Sequence, residues 1–235
     1  MPNANVRVQM RTKGSAGGQK IVFYTPARHK RVGVVNGAEL DSTGCPAVGG
    51  KIFMGDFGYY NPTTGKVKHL KTFKLAKELK ATDTSIYFYG GDFDHVLTTG
   101  TVLMIAPATG ATTGAGIAIA GVEVTTLSGV EGNVYKGTIT AAAFSATAVA
   151  ANTIFVEANE AHATDSLPLV PTINCIFAFD IYIDFPYATS ITDWGKATYT
   201  TELYYHETLY KASVNIPTYV ELLNKLSNNA TLFEL

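Results

Sequence analysis

Short runs that alternate between apolar and polar residues recur along the chain from residue 20 onward, separated by Gly, Pro, Asn and Asp. Alternation with a period of two places successive side chains on opposite faces of a β-strand. The strands that this pattern predicts cover residues 20–25, 31–35, 51–54, 57–60, 66–73, 85–89, 101–106, 117–126, 133–141, 153–158, 173–185 and 198–206. We therefore expect a mainly β fold.

Turn and helix signals refine this picture at four places. Asn36 and Gly37 are typical of a two-residue hairpin turn of type I′, and residues 61–65 predict a second turn. Residues 75–79 predict a single helical turn. Pro217 and an apolar stripe at residues 220–226 predict a short C-terminal helix.

The expected architecture is an antiparallel β-sandwich or barrel-like domain, or more than one, with an extended N-terminal arm and a short C-terminal helix. A chain of 235 residues has room for one large or two small domains. We expect a basic N-terminal region with the arm and short strands at 1–80 and an antiparallel β domain at 81–185. A C-terminal strand and the helix are expected at 186–235.

Charge is distributed unevenly along a chain whose net charge is only −1. Residues 1–80 carry 14 Lys and Arg against 4 Asp and Glu, whereas residues 81–235 carry 4 against 15. One interpretation is a chance gradient; the other is a basic face that docks on an acidic surface. The candidate partner-binding residues are Arg7, Arg11, Lys13, Lys20, Arg28, Lys30 and Arg31. Direct nucleic-acid binding is disfavoured, because no RNA- or DNA-binding signature accompanies these residues.

The two cysteines, Cys45 and Cys175, cannot build a disulfide framework or a cysteine zinc site. A single bridge and two buried free thiols both remain open, and free thiols are favoured. The N-terminus has no apolar signal-peptide core, and no apolar stretch approaches the roughly 20 residues of a membrane span. We expect synthesis in the cytoplasm and no membrane partner.

Candidate catalytic and metal-binding motifs are incomplete. Residues 55–58 match a kinase tripeptide but lack the nucleotide-binding loop that accompanies it in kinases. Asp92, Asp94 and His95 form the best metal candidate, yet the glycine and terminal glutamate of an EF-hand are missing. A solvated turn is the favoured interpretation of these three residues.

A carboxylate pair of the kind that glycosidases use is a further candidate. Asp180 and Asp184 would share one face of the predicted strand 173–185. Alternate polar positions on a half-exposed strand explain the same pattern more simply. We therefore expect a protein that is not an enzyme and has no catalytic residue, no metal site and no cofactor.

Residues 55–68, 95–106, 120–127 and 132–158 share a style in which short strands and Gly turns alternate with Ala-, Thr- and Gly-rich stretches. In this the chain resembles the auxiliary capsid, decoration and head-fibre proteins of tailed bacteriophages, particularly crAss-like phages. The resemblance implies a virion structural protein that binds the outer face of the capsid as a monomer or trimer. Its partners would be the major capsid protein and neighbouring virion subunits.

An alternative from another functional class is a non-catalytic glycan-binding β-sandwich. The chain has 13 Tyr and 12 Phe, and exposed Tyr side chains together with Trp194 would stack on sugar rings. Most of these aromatic side chains are expected in the core or in interfaces.

Overall fold

In the computed structural model, the described residues form β-strands and no helix, which confirms the mainly β prediction. The structure describes residues 6–12, 19–26, 32–108, 112–140, 148–186, 198–206, 208–210, 215–217 and 231–233. Among these residues, no helix is long and apolar enough to cross a membrane. The described strands are β1 (Val6–Thr12), β2 (Gln19–Pro26), β3 (Val32–Leu40), β4 (Lys51–Ile52), β5 (Phe57–Asn61), β6 (Lys66–His69), β7 (Thr72–Lys74), β8 (Ser85–Tyr89), β9 (Val102–Ile105), β10 (Gly116–Ala118), β11 (Gly121–Thr126), β12 (Asn133–Thr138), β13 (Ile154–Glu157), β14 (Cys175–Phe177), β15 (Ile181–Tyr182), β16 (Thr200–His206), β17 (Thr208–Tyr210) and β18 (Thr231–Phe233).

The chain divides into two compact units. Unit 1 contains Met1–Leu70, Thr172–Val214 and Leu223–Leu235, and unit 2 contains Lys71–Pro171 and Asn215–Leu222. Unit 1 is thus assembled from segments that lie far apart in sequence.

A closed five-stranded barrel forms the centre of unit 1, with its strands in the order β14-β16-β3-β6-β5. The β3–β6 pair is parallel and the other four pairs are antiparallel, so the barrel is mixed where a purely antiparallel one was expected. Its interior is filled by side chains that are fully or nearly fully buried, among them Ile52, Val67, Phe177 and Leu203. Closure leaves no open edge, because each strand has a neighbour on both sides.

The turn predicted at Asn36 and Gly37 is wrong, because both residues lie inside β3. The register with β16 shifts there, from Thr201 opposite Ala38 to Leu203 opposite Val35. Gly37 has a φ of 71°, a left-handed conformation that glycine adopts without steric cost. The Asn-Gly pair therefore makes a β-bulge, which uses the same backbone conformation as a hairpin turn.

The predicted strand 66–73 is two strands, β6 and β7, separated by Leu70 and Lys71. Its alternation is confirmed in β6, where Val67 and His69 are buried and Lys66 is exposed. β6 is not an edge strand, because it lies between β3 and β5 in the barrel. The turn predicted at 61–65 is confirmed; Gly65 N donates to Asn61 O at 2.9 Å.

The longest predicted strand, residues 173–185, is also interrupted. It contains β14 in the barrel and β15 in a two-stranded ribbon with β4. Residues 75–79 form no helical turn; Leu75 and Leu79 make isolated bridges to Phe88 and Val149 instead. The predicted C-terminal helix lies outside the described residues except at Pro217.

The N-terminal region forms a hairpin, β1–β2, within a four-stranded sheet of order β1-β2-β17-β18. The β17–β18 pair is parallel and the other pairs are antiparallel. Within its described part, the predicted extended arm therefore consists of two strands that pair with each other.

Unit 2 contains two small antiparallel sheets, one of order β10-β9-β13-β7 and one of order β11-β12-β8. A buried apolar cluster joins them, in which the rings of Phe88 and Phe155 meet edge to face with centroids 5.3 Å apart. The predicted strand 117–126 is divided between the two sheets, because β10 ends at Ala118 and β11 begins at Gly121.

Substitution of Gly58 should destabilise the barrel, because β5 passes unusually close to its neighbours there. A Cβ atom on Gly58 would lie 2.7 Å from the Lys68 carbonyl oxygen and 2.9 Å from Phe177 Cε2. We expect Gly58→Ala to lower the free energy of unfolding by about 1–3 kcal/mol, the usual cost of overpacking.

The matched control is Gly121→Ala in β11, where the nearest atom to the added Cβ lies at 3.6 Å. That substitution should be neutral or slightly stabilising, since it restricts the unfolded chain. Urea denaturation followed by circular dichroism measures both variants. Equal unfolding midpoints would contradict the close approach at Gly58.

Candidate functional site

The most unusual polar group in unit 1 is a buried carboxylate–imidazole pair. Asp56 Oδ2 lies 2.9 Å from His69 Nε2 and accepts a hydrogen bond from Phe53 N at 2.7 Å. Asp56 is 8% exposed and His69 is completely buried. An ionised carboxylate can only accept hydrogen bonds, so with Asp56 ionised, Nε2 of His69 carries the proton that joins them.

Local backbone geometry places Asp56 at this position. Asp56 N donates to Phe53 O at 3.0 Å, which closes a tight turn, and Gly55 within the turn has a φ of 88°. Phe177 N in turn donates to Asp56 O at 2.9 Å. The His69 ring stands edge-on to the Phe177 ring at a centroid distance of 5.5 Å.

Within the described part of the chain, the same hydrogen-bond pattern occurs at two other turns. Lys80 N donates to Asp83 Oδ2 and Gly91 N donates to Asp94 Oδ2, both at 2.9 Å, and each Asp N returns a bond to the first carbonyl. Asp83 and Asp94 are only half-buried. The kinase-like sequence at 55–58 is thus explained by a turn in which the aspartate side chain accepts a hydrogen bond from the amide three residues before it.

The predicted metal candidate Asp92, Asp94 and His95 is accordingly a turn with one buried end. Asp92 is exposed, Asp94 completes the turn, and His95 is only 5% exposed. His95 Nδ1 lies 3.1 Å from Thr72 N and 3.0 Å from Thr72 O, so either tautomer has a backbone partner.

Within unit 1, Asp56 and His69 are a buried carboxylate and a buried imidazole in direct contact. Carboxylate oxygen and imidazole nitrogen are common zinc ligands. No sequence motif points to Asp56 or His69: the five histidines stand alone in the sequence, and isolated histidines are expected at the surface or at caps. His69 and His95 are buried, so that expectation is wrong for both.

The candidate carboxylate pair is split between two roles. Asp180 Oδ1 accepts a hydrogen bond from Met54 N at 2.7 Å, whereas Asp184 is exposed. Asp180 lies just before β15 and Asp184 just after it, so they do not share one continuous strand. Tyr199 Oη accepts hydrogen bonds from the amides of Asp184 and Phe185, both at 2.8 Å.

The cysteines are free thiols, as favoured from the sequence. Both belong to the apolar core of the barrel, and burial raises the pKa of the Cys175 thiol far above its ordinary value. A thiol with a raised pKa is protonated at neutral pH and is a poor nucleophile.

The predicted basic contact residues are only partly placed. Arg7 and Arg11 lie on β1 and Lys20 lies on β2. In the register of the hairpin, Arg11 is directly opposite Lys20 and Arg7 is opposite Thr25. Lys13, Arg28, Lys30 and Arg31 lie outside the described residues, as does Trp194.

Comparison with known proteins identifies no relative: no family model, no curated protein and no solved structure matches the chain.

The Asp56–His69 pair should contribute strongly to the stability of the barrel. Asp56→Ala would leave the Phe53 amide and the His69 imidazole without this acceptor in a buried environment. We expect the free energy of unfolding to fall by about 1–3 kcal/mol for each of the two groups. We expect a lower urea midpoint, and a smaller decrease for Asp56→Asn, which keeps one acceptor oxygen.

Asp83→Ala is the matched control, because it removes a carboxylate from the same type of turn without a buried histidine. Its cost should be below about 1 kcal/mol, since water replaces the lost acceptor. Equal losses for Asp56→Ala and Asp83→Ala would show that burial of the pair adds nothing.

Proposed function

We propose that this protein is a non-catalytic structural subunit that binds the outer surface of a virus capsid through its basic N-terminal hairpin. The observation that carries the proposal is the register of β1 and β2, which sets Arg11 directly opposite Lys20. Like charges at directly opposed positions destabilise a strand pair. An acidic partner surface would offset two like charges at opposed positions, so it is the kind of surface that this register favours.

Charge distribution supports the same assignment. The hairpin belongs to residues 1–80, whose net charge is +10, and Arg7 adds a third cation to it. Complementary charge accelerates encounter and fixes orientation. An acidic patch on a capsid subunit is therefore the expected target.

Charge alone would not hold the subunit in place, because exposed ion pairs contribute only about 0–1 kcal/mol each. Stable attachment also requires a buried interface on the order of 1,200 Å² or more. Unit 1 offers apolar surface for this purpose. Phe179, Tyr182 and Phe185 are 49%, 52% and 59% exposed, which is high for aromatic side chains.

Neutralising the hairpin should reduce attachment. The triple variant Arg7→Gln, Arg11→Gln and Lys20→Gln removes three positive charges from β1 and β2, and we expect at least a tenfold loss of occupancy on particles. Co-sedimentation with purified capsids at physiological salt measures occupancy. The further triple of Arg28, Lys30 and Arg31 should behave in the same way.

A control with the same change in net charge separates local contact from overall charge. Lys68→Gln, Lys77→Gln and Lys80→Gln remove three cations of the same N-terminal third outside the hairpin. This variant should keep its occupancy to within about twofold, because it leaves the proposed contact residues of the hairpin unchanged. Equal losses in both triples, or none in the hairpin triple, would refute the proposed attachment site.

Glycan binding is the second candidate, and the exposed aromatic side chains favour it specifically. Tyr182 and Phe185 lie on and just after β15, and the exposed carboxylate of Asp184 lies between them. Aromatic faces stack on sugar rings and carboxylates accept hydrogen bonds from hydroxyl groups. This arrangement would bind a neutral glycan.

A glycan array distinguishes the two functions. Binding that is lost in Tyr182→Ala and retained in the hairpin triple would favour the glycan function. Trp194→Ala extends the test to the residue expected from the sequence. If the protein binds capsids and no glycan on the array, the glycan function is refuted and the capsid function is supported.

A further inference from the structure

The edge strand β11 of unit 2 presents unpaired backbone groups. Among the described residues, β11 pairs with β12 on one side and with no strand on the other. The pairing keeps one register over all six residues, from Gly121 opposite Thr138 to Thr126 opposite Asn133. A long, regular edge strand is a template for the addition of another strand.

Hydrogen bonds on the far side of β12 identify which groups are open. Gly90 N donates to Asn133 O and Ile139 N donates to Thr84 O, so the odd-numbered residues of β12 bond away from β11. Antiparallel strands alternate the direction of their hydrogen bonds. The even-numbered residues of β12 therefore bond to β11.

The register then fixes the outward groups of β11 itself. Lys136 is opposite Glu123, so Glu123 and its odd-numbered neighbours bond to β12. The amides and carbonyls of Val122, Val124 and Thr126 point to the open side. The Val124 side chain is 60% exposed, the most exposed of the large hydrophobic residues in the described part of the chain.

Features that normally protect an edge are missing here. Natural edge strands carry lysine, proline or a bulge, whereas β11 has the sequence GVEVTT. Its single charge, on Glu123, is offset by Lys136 Nζ at 3.1 Å. An approaching strand therefore meets no uncompensated charge.

We propose that β11 pairs antiparallel with β11 of a second copy of this chain, about a twofold axis at Val124. This register sets Val124 opposite Val124 and Val122 opposite Thr126, so that all the outward groups are paired. Glu123 falls opposite Thr125, and no like charges meet directly. A twofold axis at Glu123 would instead oppose two carboxylates, which disfavours that register.

One pair of six-residue strands makes a small interface, below the roughly 1,200 Å² that stable complexes bury. The contact is therefore weak in solution and becomes effective where copies are held close together. It needs no capsid and does not depend on the proposed attachment through the hairpin.

Cysteine cross-linking tests the register directly. In a hydrogen-bonded antiparallel pair the Cα atoms are about 5.5 Å apart, so a small adjustment of two edge strands brings opposed cysteines into the range of a disulfide. Val124→Cys should form a covalent dimer under mild oxidation, at least ten times faster than Thr126→Cys. In the proposed register two copies of residue 126 are four positions apart, about 13 Å, which is too far for a bridge.

The native thiols give little background, because Cys45 and Cys175 are buried. Equal cross-linking rates for the two variants, or no dimer from Val124→Cys, would overturn the proposal. Equal rates would indicate random collision or another register. No dimer from Val124→Cys would show that β11 does not pair with a second copy at this residue.

Val124→Pro provides an independent measurement. Its amide points away from β12, so the substitution removes no hydrogen bond within the sheet, whereas it blocks pairing at the edge. In sedimentation velocity, the sedimentation coefficient of the unmodified protein should rise with protein concentration, and that of Val124→Pro should not. Val124→Lys serves as a second variant that keeps the backbone unchanged, and retention of self-association in both would also refute the proposal.

Discussion

The backbone of Phe177 is the point on which unit 1 depends. Its strand, β14, closes the barrel by pairing with β5 on one side and β16 on the other. Phe177 N donates to Asp56 O, and Gly55 N donates to Phe177 O, both at 2.9 Å, so one residue holds the turn that carries the buried carboxylate. Its ring packs on His69 and leaves no room for a side chain on Gly58.

A side-chain amide lengthens this short strand. Asn174 Nδ2 donates to Tyr60 O and Asn174 Oδ1 accepts from Tyr60 N, both at 2.8 Å. The amide thus replaces a backbone peptide and continues the ladder between β14 and β5 by one position. This side chain thus gives the half-buried amide and carbonyl of Tyr60 hydrogen-bond partners beyond the end of the three-residue strand.

Alternation in the sequence predicted where strands lie but not where they change sheets. Val67 and His69 follow the predicted pattern, yet residues 66–73 and 173–185 each divide between two sheets. Leu70 directly follows β6, and Ala178 and Phe179 directly follow β14, so apolar character does not mark where either strand ends. Asn36 and Gly37 were misassigned for a related reason, since a bulge and a hairpin turn require the same positive φ at glycine.

The buried pair could not be predicted because its two members are tertiary neighbours. Asp56 carries the local signature of a turn, which Asp83 and Asp94 share, and nothing in the sequence distinguishes the one that meets a histidine. His69 occupies an inward position of an alternating strand, where its burial follows from the period of two. A histidine buried at such a position needs a polar partner for its ring nitrogens.

Lysine occupies an enclosed strand of unit 1 and is absent from the edge strand β11 of unit 2. Lys66 and Lys68 occupy β6, which closure of the barrel already protects from unwanted pairing. In unit 2 the edge strand β11 has no lysine, and its Glu123 is neutralised from β12. If avoidance of pairing had shaped both strands, the cations would lie on the open one. Lysine on an edge strand hinders pairing, so the absence of lysine from β11 favours the addition of a partner strand.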